Sequence, residues 1–174
     1  MLKKMLEEKN KKAKIVLEAI KVFAKEGFEK ASMDSVALKA KVAKGTIFYH
    51  YKSKKGLFEA IITEGERNLT EEIIKRTEGI EFSTDKIKIV IKTERDFIEK
   101  YQELFKVLVE DILVKNKSFK PIEDIILEGI EKKEFRSDIP VHTMASSLFW
   151  MTAMTVLNGE KEGQEKILIE GIKL

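Results

Sequence analysis

The chain has 174 residues, of which 43% are apolar and 36% charged, with two prolines and no cysteine. This composition suits a soluble globular protein with a sizeable core; it excludes disulfides, thiolate catalysis and cysteine-ligated zinc, and so few turn residues argue against an all-β fold. Charge is uneven: residues 1–60 hold 15 lysines against 7 acids, whereas residues 61–174 hold 18 basic against 23 acidic residues, so a basic first third suited to a polyanion precedes an acidic remainder.

The pattern along the chain is a series of amphipathic helices. Ala13, Val16, Leu17, Ile20, Phe23 and Ala24 fall on one helical face, and Gly27 is placed to end that helix. Ser32 is a candidate N-cap for a second, short helix with Met33, Val36, Ala37 and Ala40 as its apolar stripe. Lys41, Val42 and Ala43 separate it from a third helix over Lys44–Tyr51, in which Ile47 and Tyr51 share the core side. Ser53 caps a fourth helix that runs to about Thr77. Five more are expected: Thr84 to about Tyr101, Gln102–Lys115, Pro121–Lys133, Val141–Leu157 and Glu160–Lys173. The fold class is therefore all-α, with about nine helices. Two short helices joined by a three-residue turn, inside a basic three-helix unit, describe a helix-turn-helix.

Other classes fare poorly. Met1–Lys14 is basic but lacks the apolar stretch of a signal peptide. The charge-free segment Ile139–Gly159 contains Pro140, His142, Asn158, three threonines and two serines, which a membrane span disfavours. No glycine-rich phosphate loop is present, His50 and His142 lack metal-ligand spacing, and no nucleophile has an evident base. The expectation is a cytoplasmic protein that is no enzyme, with no cofactor, no metal site and no membrane partner. Abundant Lys, Glu and Ile with only six Asn and Gln is a bias of thermophile proteins, which AT-rich genomes share.

The segments "AIKVFAKEGFEKAS" (Ala19–Ser32) and "SVALKAKVAKGTIFYHYKSKKGLF" (Ser35–Phe58) resemble the TetR family of transcriptional repressors. The resemblance covers about the first 60 residues. It implies a DNA-binding domain over 1–52 and a helical effector-binding and dimerisation domain over 53–174. It also implies an inverted-repeat operator in double-stranded DNA, bound by a homodimer and released by a small-molecule effector. By position, Lys44, Gly45 and Thr46 are implied at base edges, Tyr49 and His50 at the sugar-phosphate backbone, and Ser32 and Lys54 at phosphates near helix starts. Ser32 serves equally as an N-cap. Lys3, Lys4, Lys9, Lys11 and Lys12 suit either a minor-groove arm or a solvated terminus. The chain departs from the family at Lys41, where glycine is usual and a positive φ would cost about 1 kcal/mol, and at Phe48, where tyrosine is frequent.

Val141–Leu157 is apolar nearly all round, so it needs cover on two sides, and a second subunit is the natural second cover. Leu148, Phe149, Trp150, Leu157, Ile167 and Ile172 are the candidate dimer residues. The effector pocket implied by the resemblance has Phe97, Tyr101, Phe105, Leu108, Ile112 and Trp150 as candidate walls, each also suited to plain core. A reading from a different class is a helical dimer with a structural or protein-interaction role and no effector response.

Overall fold

The computed structural model describes residues 2–102, 105, 119–160 and 164–173. Among them are eight helices: α1 (Leu2–Lys30), α2 (Met33–Ala40), α3 (Lys44–Tyr51), α4 (Lys54–Thr77), α5 (Ser83–Lys100), α6 (Lys120–Glu131), α7 (Val141–Leu157) and α8 (Gln164–Ile172). The helix expected over Gln102–Lys115 lies almost wholly outside the described residues. The chain forms two compact units, Met1–Glu66 with Glu103–Leu113, and Arg67–Gln102 with Val114–Leu174.

In the first unit α1 packs on α2, and α2 on α3. Ile15, Ala19, Val22 and Phe23 of α1 are fully buried with Val36, Ala40, Ile47 and Leu57. Phe23, Phe28 and Phe58 form an aromatic trio with ring centroids 4.8–5.7 Å apart. Gly27 breaks α1 as expected. Its φ of 75° and ψ of 157° are open only to glycine, and they turn Phe28 back onto Phe23.

In the second unit α5, α6 and α7 pack against one another, and α8 lies on α5 and α7. Ile87, Val90 and Ile98 of α5, Ile126 of α6 and Ala145, Leu148 and Ala153 of α7 are fully buried in it. The segment Ile87–Ile91, β-branched throughout apart from Lys88, is helical. Thr152 and Thr155 are buried without cost because their hydroxyls donate to the carbonyls of Leu148 and Met151. The α6–α7 turn needs Gly129, because a Cβ there would come 2.1 Å from the buried Phe135 ring. Glu134 in the same turn reaches across to cap α5. Its carboxylate accepts the Ser83 and Thr84 amides at 3.0 and 2.8 Å and the Thr84 hydroxyl at 3.0 Å.

The dimer residues expected from the sequence need correction. Leu148 and Phe149 are 0% and 2% exposed, and Ile172 is buried as well, so all three are spent on the core of their own unit. The outward stripe of α7 is Trp150, Met151, Met154 and Leu157, and Ile167 of α8 is exposed. A helix with apolar residues on every side has no polar face to fix its rotation, so the sequence left this phase open.

Candidate nucleic-acid interface

Ser32 opens α2 in extended conformation, and its Oγ accepts the Ser35 amide at 3.0 Å. It is thus the N-cap expected, with an exposed hydroxyl at the end of the helix. Lys41 ends α2 with φ 54° and ψ 47°, and its amide donates to the Ala37 and Leu38 carbonyls. The glycine-like turn is therefore kept with a lysine in it, strained by about 1 kcal/mol. The turn delivers the chain into α3 at Lys44.

One residue fixes the rotation of α3. Ile47 is wholly buried, and with it in the core the helix must present Lys44, Gly45, Phe48 and Tyr49 to solvent. Tyr49 is 70% exposed. Thr46 and His50 are half-buried at the edges of that face. The Tyr49 and His50 rings lie edge to face at 5.0 Å, and Lys52 sits 5.6 Å over Tyr49 while donating to its carbonyl. Tyr51, expected as core, is half-buried. Burial, and then the nearby charge of Glu64, raises its phenol pKa above the ordinary value.

The junction from α3 to α4 is tight. Lys52 has φ 65° and ψ −39°, and the Ser53 amide donates to the Tyr51 carbonyl at 2.7 Å, which makes a strained γ-turn. Ser53 then caps α4, its Oγ accepting the Gly56 amide at 2.9 Å. Gly56 is required because a Cβ there would lie 2.2 Å from the Tyr51 carbonyl oxygen.

Lys54 is placed differently from the expectation. Its ammonium donates to the Phe28 and Glu29 carbonyls at 2.7 and 2.9 Å and lies 4.6 Å over the Phe28 ring. Those carbonyls follow the kink at Gly27 and need a donor. Lys54 therefore bolts the start of α4 to the end of α1, which spends two of its three ammonium donors. Ser32, Lys44, Gly45, Thr46, Tyr49 and His50 stay together at the start of α2 and along α3.

Of the candidate pocket walls, Phe97 and Tyr101 are half-buried with rings 4.8 Å apart, Phe105 is buried, and Trp150 meets Phe149 at 5.3 Å. Leu108 and Ile112 lie outside the described residues. Sequence reasoning passed over Glu94, a wholly buried carboxylate on α5. Its signal was there, since it falls on the stripe of Ile87, Val90, Ile91 and Ile98. Arg67 pairs with Glu71 on the surface at 2.7 Å. Among the described residues no group of three His, Asp or Glu is placed to hold a metal, and no helix is long and apolar enough to cross a membrane.

Residues 15–61 match the family described as "Bacterial regulatory proteins, tetR family". The chain is similar to that family over this N-terminal segment. The HTH-type transcriptional regulator UidR of Escherichia coli (strain K12) is 30% identical to it over 71 residues, 41% of this chain. That match covers 36% of the relative's own length. Two solved structures share the fold over nearly the whole chain. A tetR-family regulatory protein from Rhodococcus RHA1 has a TM-score of 0.77 at 15% identity, covering 94% of this chain and 97% of that one. The transcriptional regulator FadR from Bacillus subtilis, solved in complex with stearoyl-CoA, has a TM-score of 0.76 at 18% identity, covering 91% and 95%. The matched segment contains all of α2 and α3, the γ-turn at Lys52 and the Lys54 bolt.

Proposed function

We propose that this chain is a cytoplasmic TetR-family transcriptional repressor that binds an inverted-repeat operator as a homodimer and is released by a small-molecule effector. The observation that carries the reading is α3. Ile47 locks this eight-residue helix onto the core while Lys44, Gly45 and Tyr49 stand in solvent, the shape and chemistry the major groove accepts. The exposed apolar side chains of α7 and α8 support a two-fold dimer, and a two-fold dimer reads an inverted repeat. The stearoyl-CoA complex of the Bacillus subtilis regulator makes that compound the first effector to assay.

The test is selection of duplexes from a randomised pool, followed by mobility shift of the selected sequence with and without stearoyl-CoA. The expected outcome is a palindromic site. Effectors of this kind weaken binding by about 5- to 150-fold, and operator DNA weakens the effector by the same factor. Failure to enrich any sequence would overturn the regulatory reading. A selected site whose affinity no pocket ligand changes would leave the second unit as a dimerisation device.

A further inference from the structure

We propose that Asp34 is a specificity residue, an internal competitor that keeps Lys44 from binding DNA of arbitrary sequence. The inference rests on the DNA-binding reading above. The Lys44 ammonium, at the start of the exposed helix α3, donates to Asp34 Oδ2 at 2.7 Å. Asp34 belongs to the first turn of α2, two residues after the Ser32 cap, where the helix N-terminus favours a negative charge. The pair therefore links the two helix starts that carry the candidate DNA contacts.

The exposure of the pair decides what it does. Lys44 and Asp34 side chains are 51% and 68% exposed, so their bond does little to hold the fold together. The buried contacts of Val36, Ala40 and Ile47 already do that. What the bond sets is the availability of the lysine. Lys44 approaches DNA only by exchanging one carboxylate oxygen for another acceptor. A random duplex offers phosphate oxygens at full screening, and the exchange gains little. A matched site offers a fixed base acceptor such as guanine O6 or N7, and the exchange is favourable. The competition therefore falls harder on random DNA than on the matched site.

The experiment compares the unaltered protein with Asp34→Asn on the duplex selected from the randomised pool and on a shuffled duplex of the same composition, each over a series of salt concentrations. Asp34→Asn is expected to bind the shuffled duplex about 2- to 5-fold more tightly, the range an exposed ion pair supplies. The selected duplex should gain less, so the ratio of the two affinities falls. The salt slope on shuffled DNA should steepen by about 1 per subunit as Lys44 takes up a phosphate. In a Lys44→Ala background Asp34→Asn should leave both affinities unchanged, whereas a general loss of negative charge would still raise both. Equal gains on both duplexes, an effect that survives in the Lys44→Ala background, or loss of affinity on both would overturn the proposal. If the unaltered chain binds neither duplex, the regulatory reading falls and this inference with it. Binding by the unaltered chain with Asp34→Asn unchanged removes this inference alone.

Discussion

Lys54 shows how much a single side chain's partner matters. A lysine at the first turn of a helix beside a recognition helix reads as a phosphate contact from sequence alone. Its actual acceptors are two carbonyls some 25 residues earlier in the chain, in the last turn of α1 after the kink at Gly27. Charge-assisted bonds of this kind contribute about 1.5–3 kcal/mol each when buried, and less at this half-exposed site. Lys54→Ala should therefore lower the unfolding free energy by about 1–3 kcal/mol in urea denaturation. The salt slope of DNA binding should stay as it was. A slope lowered by about 1 with unchanged stability would return the residue to phosphate contact. Lys41 makes the opposite case. Its φ of 54° keeps the turn that the resemblance implies with glycine there, and Lys41→Gly removes about 1 kcal/mol of strain while adding about 0.5–1 kcal/mol of chain entropy. The expected denaturation midpoint is equal to or slightly above that of the unaltered chain, and a clear fall would show that the side chain has a partner in the fold.

At the scale of elements, the bounds of α2, α3 and α7 were legible because each end carries a local signal: a serine cap at Ser32, a three-residue turn, Pro140 before Val141. Rotation was legible only where polar and apolar faces differ. For α3 the one aliphatic side chain, Ile47, fixed it although Phe48 beside it is exposed; for α7 nothing did. Caps supplied from a distance were not legible either. The first turn of α5 has no side-chain cap of its own and takes Glu134 from the α6–α7 turn, 50 residues away. Burial pushes the Glu134 carboxyl pKa up, but the amides of Thr84 and Ser83 and the Thr84 hydroxyl together outweigh it, so the folded value lies below the ordinary one. Glu128 is lowered too, first by its bond from Lys132 and then by Lys86. A depressed carboxylate stabilises the fold fully above the ordinary glutamate pKa, about 4.3. That stability is lost as pH falls through the folded value. Denaturation midpoints should thus drop as pH falls below about 4.3, and Glu134→Gln should be less stable at pH 7 yet lose less on acidification. Parallel pH curves for the two proteins would deny Glu134 this role.

At the scale of the whole molecule, the chain forms two compact units, and its first 60 residues are basic where the remainder is acidic. The first unit presents α3, and the second leaves an apolar stripe of α7 uncovered. Scattered exposed apolar side chains are ordinary. Here Met151 and Met154, with Trp150 and Leu157 at their edges, follow one face of α7, and Ile167 is exposed on α8, which packs on α7. A stable interface takes about 800 Å² from each partner, more than these side chains alone provide, so the polar residues Thr143 and Ser147 on the same face would lie within it. The unaltered 20.0 kDa chain should run in sizing experiments at twice its mass. Met154→Glu, whose side chain is 46% exposed, should yield folded monomers with undiminished helicity, because it places a charge on the interface and leaves the core intact. Leu148→Glu should instead lose helicity, because it buries an unpaired charge in the core. The contrast between the two variants separates interface from core, which neither could do alone. If Met154→Glu remains a dimer, the second subunit docks elsewhere; if both variants unfold alike, the outward stripe belongs to the fold and the two-fold operator reading loses its structural support.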